Sequence, residues 1–264
     1  MEDDRTLIVG FELGDDFSQL SVYDKELLEP VLIGQTENNP DALLPTVVEP
    51  DYGEKISDFL KAVREGEPVT TGQRQTDSVR VLAYFFKKTL ALTRKRYPGE
   101  RIKLLCVTVD ELDKEYSDRI YEALDLVGMD SDRVRVIDHK RSYMYYVLYQ
   151  KKELWSNDVG LFDYDGKNLI YEQLQIDRAH TPFLIGVKRT DYTDAFDSDG
   201  SVPKSVVFEN IVHSALRNQF VSSIFMTGEG FEDDWTEEVL PRLAVGRRLF
   251  KGRNLYVSGA AYAA

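Results

Sequence analysis

The sequence predicts an α/β protein made of two related halves, and three observations carry that prediction. Residues 8–22, IVGFELGDDFSQLSV, read as a strand, a tight turn at Gly14 and a second strand. Residues 158–176, DVGLFDYDGKNLIYEQLQI, repeat the device around Gly166. Each hairpin is followed by further strand-type runs, a helix, a strand and a helix, an approximate internal duplication that suggests a cleft between the halves. The expected domains are residues 1–150, with an insertion near 50–75, and residues 151–264, with an insertion near 188–203.

The first half opens on short β-type runs at 6–10 (TLIVG), 18–23 (SQLSVY), 31–34 (VLIG) and 46–49 (TVVE), separated by Gly, Pro, Asn and Asp. A helix is expected over 55–64, then a polar link, EGEPVTTGQRQ. A longer helix starts at Thr76 or Asp77, either of which caps it. Its residues Val79, Leu82, Ala83, Phe86 and Leu90 fall on one face. KRYPGE ends it, and RIKLLCVTVD reads as a buried strand. The next helix spans Asp113 to Val127, buries Tyr116, Ile120, Ala123, Leu124 and Val127, and stops at Gly128. VRVI (134–137) is a strand and YMYYVLY (143–149) a helix.

In the second half the hairpin leads to a strand, TPFLIGV, and an acidic, solvated loop, TDYTDAFDSDGS. A helix begins near Pro203, whose fixed φ suits a first helical turn. SSIFMTG is a strand, and DDWTEEVLPRL a short helix that Pro241 must kink or end.

Composition excludes several function classes. The 33 Lys and Arg against 46 Asp and Glu leave a net charge of −13. That charge repels phosphate backbones and anionic lipid, so nucleic acid is not an expected partner. Cys106 is the sole cysteine and, within KLLCVTV, reads as a small buried hydrophobe rather than a nucleophile. The N-terminus, MEDDRTLIVG, has no positive region ahead of an apolar stretch, and no window approaches about eighteen apolar residues. A cytoplasmic protein without membrane insertion is expected. His139, His180 and His213 lack metal-ligand spacing, and there is no G-x-S-x-G elbow or G-K-[ST] loop.

Four stretches, in order, resemble the superfamily shared by actin, the heat-shock chaperone ATPases and the sugar kinases. IVGFELGDDFSQLSV is similar to its first phosphate hairpin, usually apolar-G-I-D-L-G-T-T-x-S. LLCVTVDELDKEYSDRIYEALDLVGMDSDRVRVID resembles the segment that leads into the first connecting helix. VGLFDYDGKNLIYEQL resembles the second phosphate hairpin, usually apolar-apolar-D-x-G-G-G-T. SIFMTGEGFEDDWTEEVLPRL and LYVSGAAYAA resemble the adenosine motif and the closing V-A-x-G-A-A. The resemblance spans nearly the whole chain and extends to an uncharacterised bacterial family. It implies two ribonuclease-H-like lobes, each a mixed sheet with flanking helices, around a central cleft, with reduced inserted subdomains. The family continues beyond this point into a helix, which implies further C-terminal sequence.

The resemblance also assigns positions. Glu12 falls on the acidic residue of the first hairpin that helps hold a hydrated metal, and Gly14 on its turn. Asp15 and Asp16 stand where the family has phosphate-binding hydroxyls. At about 4 Å, two like charges cost roughly 4 kcal/mol at an effective dielectric near 20. Mg²⁺ relieves that only where the carboxylates reach the metal itself. Asp163 matches the acidic residue of the second hairpin, but the glycine triplet becomes Asp165-Gly166-Lys167. Lys167 is either an anion contact or a solvated hairpin tip, and the second is the commoner use. The acidic catalytic position falls on His139 or a residue either side, and no catalytic residue is assigned. Tyr143, Tyr145, Tyr146 and Tyr149 replace small hinge residues and suit an inter-domain core. Gly228-Glu229-Gly230 and Gly259-Ala260-Ala261 are retained, either to seat a nucleoside or only to allow close packing.

The functional expectation is a degenerate, non-catalytic binding or regulatory scaffold with a protein partner and no cofactor. The alternative is a metal-dependent ATPase or phosphotransferase in which Glu12, Asp15, Asp16 and Asp163 hold Mg²⁺ against ATP. A filament-type or partner-binding actin relative, using the acidic loop 190–201 and the 50–75 insertion, is the second alternative.

Overall fold

A computed structural model describes residues 5–49, 54–72, 74–196 and 201–264. The chain divides into two units, Met1–Tyr146 with Tyr256–Ala264, and Val147–Leu255.

In the first unit β1 (Thr6–Glu12) runs antiparallel to β2 (Phe17–Asp24), which pairs in turn with β3 (Glu29–Leu32) and the short β4 (Leu44–Pro45). α1 (Phe59–Glu65), the hairpin of β5 (Val69–Thr71) and β6 (Arg74–Thr76), and α2 (Ser78–Arg96) follow. β7 (Arg101–Val109) lies parallel to β1, α3 (Lys114–Asp125) returns, and β8 (Val134–Asp138) lies parallel to β7. α4 (His139–Tyr149) starts where β8 ends. The sheet order is β3–β2–β1–β7–β8.

Local chemistry explains the two principal helices. Asp77 caps α2 by accepting from the Val79 N–H at 2.8 Å, and Asp113 caps α3 through the Tyr116 N–H at 2.7 Å. The 3.6-residue stripe of α2 buries Val79, Leu82, Ala83, Phe86 and Leu90. Phe86 meets Phe11 of β1 edge to face at 5.3 Å. Tyr116, Ile120, Ala123 and Leu124 of α3 fill the same core, whereas Val127 is only half-buried. Cys106 is buried, and burial pushes its thiol up to about 12.

The second unit contains β9 (Asp158–Tyr164), β10 (Leu169–Asp177), β11 (Leu184–Asp191), α5 (Thr193–Phe196), α6 (Lys204–Ala215), β12 (Val221–Thr227), α7 (Trp235–Leu243) and β13 (Arg248–Lys251). Its sheet runs β11–β10–β9–β12–β13. β9 is antiparallel to β10 and parallel to β12, and β10–β11 and β12–β13 repeat those senses. Both units are therefore mixed sheets with flanking helices, with matching order and strand sense. An aromatic cluster of Phe162, Tyr164, Phe196, Phe208, Phe231 and Trp235 fills the second core.

The last helix, α8 (Leu255–Ala263), falls within the second expected domain, but from Tyr256 onward it belongs to the first unit. Small residues bring it onto β1 and α4. A Cβ on Gly10 would stand 2.4 Å from the Val257 carbonyl oxygen, and one on Gly259 2.0 Å from that of Ser142. Ser21 Oγ donates to the Val257 carbonyl at 3.0 Å, Ser142 Oγ to that of Tyr256, and Arg135 to that of Ala263.

Other boundaries differ for local reasons. The strand expected at 46–49 reduces to β4 and a single Val48–Ile56 bridge. The helix at 55–64 begins only at Phe59, and the polar link folds into the β5–β6 hairpin. α4 starts at His139 because the Asp138 carboxylate accepts from the Arg141 N–H at 2.8 Å. β11 runs on to Asp191, past the end expected for TPFLIGV, and the acidic loop contains the single turn α5. Residues 50–53 and 197–200, parts of the two expected insertions, lie outside the described residues. No helix among the described residues is long and apolar enough to cross a membrane.

Candidate functional site

The first hairpin turn is claimed by its own chain. A Cβ on Gly14 would stand 2.4 Å from the Phe17 carbonyl oxygen, so the turn has no room for a side chain there. Thr46 donates its N–H to the Asp16 carbonyl at 2.9 Å and its hydroxyl to the Gly14 carbonyl at 2.7 Å. Asp16 is exposed. Asp15 receives Arg64 of α1 at 2.6 Å, and the Arg64 guanidinium lies 5.5 Å above the Tyr116 ring. Arg119 fixes the end of α1 by donating to the Val63 and Arg64 carbonyls at 3.2 and 2.8 Å. Burial pushes the Tyr116 phenol up to about 12, so it stays neutral.

Three adjacent strands end beside this turn. Glu12 closes β1, Asp110 follows β7, and His139 follows β8. His139 Nε2 lies 3.9 Å from Glu12 Oε1, and its Nδ1 3.9 Å from Asp110 Oδ1. The imidazole stacks on Tyr256 of α8 at 3.8 Å and 10°. Glu12 and His139 are largely buried, at 17% and 13% side-chain exposure. Both separations are longer than a direct hydrogen bond. Sequence reasoning found Glu12 and His139 but missed Asp110, although a carboxylate just past a strand end of an α/β sheet is a usable signal. Nothing in the sequence marked Tyr256.

In the second unit, Asp165 accepts from the Lys167 and Asn168 N–H groups at 2.7 and 2.6 Å and from the Asn168 amide at 2.8 Å. Burial raises its carboxyl, but the bonds from Asn168 and Lys167 outweigh that and hold it below the usual range. Lys167 is exposed. Tyr164, only 3% exposed, donates its hydroxyl to the Gly166 carbonyl at 2.9 Å.

The glycines of the 228–230 turn pack directly against this hairpin. At Gly228, with φ +101°, a Cβ would stand 2.2 Å from the Tyr164 carbonyl oxygen. At Gly230 it would meet the Tyr164 ring at 2.1 Å and the Gly166 nitrogen at 2.7 Å. Both glycines are thus required for packing. Glu229 faces Arg253 at 3.8 Å. Asp163 is half-buried at the end of β9, opposite Ile170 and Thr227. Of the four tyrosines in α4, Tyr143 is fully buried and Tyr149 is 58% exposed. Among the described residues, no three His, Cys, Asp or Glu side chains gather in a geometry for a metal ion.

The class so defined is a mixed α/β protein with two sheets of matching order, each opened by a hairpin whose tip is engaged by side chains of its own unit. Residues 47–264 match the family described as "Family of unknown function (DUF5716) C-terminal", and the chain belongs to that family. No curated protein matches its sequence.

Proposed function

We propose that the chain is a degenerate member of the actin, chaperone-ATPase and sugar-kinase superfamily, a duplication of ribonuclease-H-like units serving as a non-catalytic binding or regulatory scaffold. Support for the duplication comes from two sheets with one order and one set of strand senses. The solitary buried cysteine and the charge of −13 suit a cytoplasmic protein whose partners are proteins.

The observation that carries the functional reading is Tyr164. With Asp165, it closes the second hairpin: the Tyr164 hydroxyl donates to the Gly166 carbonyl, and the Asp165 carboxylate accepts from the Lys167 and Asn168 N–H groups that an anion would otherwise use. Asp15 reinforces it, because it sets a carboxylate at the tip of the first hairpin and commits the nearby Arg64 guanidinium to an ion pair. Mg²⁺ does not fit the first hairpin on the same grounds. The cation needs several oxygen ligands, whereas Asp15 is held by Arg64 and Glu12 faces an imidazole. The metal-dependent reading is therefore the weaker. Calorimetry of the full chain with Mg-ATP is expected to show no saturable heat, and micromolar binding overturns the reading.

A further inference from the structure

We propose that the Arg64 guanidinium, seated on Tyr116, is an oxyanion site that Asp15 closes in cis. A guanidinium presents a planar fork of donors that suits a carboxylate and a phosphate alike, so one group can stand in for the other. Asp15 Oδ1 takes one arm of that fork, accepting from Arg64 Nη2 at 2.6 Å.

The seat does not depend on Asp15. Gly66 closes α1 with φ +73° and its N–H on the Val63 carbonyl, while Arg119 takes the Val63 and Arg64 carbonyls. Tyr116, 1% exposed, supports the guanidinium from below. The hairpin turn is held separately, through Thr46 on the Gly14 and Asp16 carbonyls. Removing the Asp15 carboxylate therefore leaves both walls standing.

The pair is also reachable, with side-chain exposures of 37% for Arg64 and 59% for Asp15. Exposed pairs of this kind add little to stability, so their use here is to neutralise the guanidinium and turn away a second anion. The ligand class is a small tetrahedral oxyanion, phosphate or a phosphate monoester. The site deepens the reading above for the first hairpin, and the two fail separately.

The test titrates inorganic phosphate into the full chain and its variants, followed by calorimetry and the Arg64 Nε–H resonance. Asp15→Ala is expected to bind phosphate about tenfold more tightly than the unaltered chain, or better. Adding Arg64→Ala in that background is expected to abolish binding. Asp15→Asn, which keeps the side-chain shape, is expected to gain affinity in the same direction and carries the test if the alanine variant does not fold. Equal binding with and without Asp15, no binding once it is removed, or binding that survives loss of Arg64 each overturn the site. Any of those results leaves the reading of the second hairpin intact, whereas Mg-ATP binding by the unaltered chain overturns that reading instead.

Discussion

Asp165 illustrates how this chain uses carboxylates at its hairpin tips. Its oxygens accept two backbone N–H groups and one side-chain amide, so the charged form is the bonded form. Asp191 does the same at the start of α5, where the Thr193 N–H and hydroxyl hold its carboxyl below the usual range. A carboxyl depressed in the folded state contributes stability above its unfolded pKa and loses it as pH falls through the folded value. Resistance of the second unit to urea is therefore expected to drop below about pH 4, and less steeply in Asp165→Asn. An unchanged slope in that variant contradicts the assignment. At this scale the sequence was informative but ambiguous. It placed Asp15, Asp16 and Asp165 at hairpin tips. It did not show that Asp15 faces Arg64, a partner 49 positions away in the chain. Pairings of that separation are set by the fold.

Elements whose stability is written in local periodicity were the legible ones. The stripes of α2 and α3, their aspartate caps and the two hairpins follow from residue spacing within a few turns of chain. α8 is different, because most of its residues are small and apolar and its helical pattern has no polar face to mark it. Its position depends on close approach, with Gly10 beneath Val257 and Gly259 against Ser142. Gly259→Ala is expected to cost about 1–3 kcal/mol, because the obstacle is backbone and α8 has to lift. Hydrogen exchange at the amides of α8 is expected to quicken before that of α2. Exchange in α8 as slow as in the unaltered chain contradicts this packing.

Across the whole molecule, the matched order β3–β2–β1–β7–β8 and β11–β10–β9–β12–β13 accounts for both hairpins opening their units at the strand that neighbours a parallel partner. In such sheets the carboxyl ends of the parallel strands are where ligands ordinarily sit. Here one of those ends holds the Glu12–His139–Asp110 group beside a turn whose Asp15 pairs with Arg64, and at the other Tyr164 packs against the Gly228–Gly230 turn. The central proposal is that both hairpin tips are engaged by the chain's own groups and do not receive a nucleotide. The backbone amide resonances of Gly14, Gly166, Gly228 and Gly230, followed as Mg-ATP is added to millimolar excess, test it most directly. The account predicts that all four stay in place; saturable shifts at Gly166 together with Gly228 or Gly230 would contradict it.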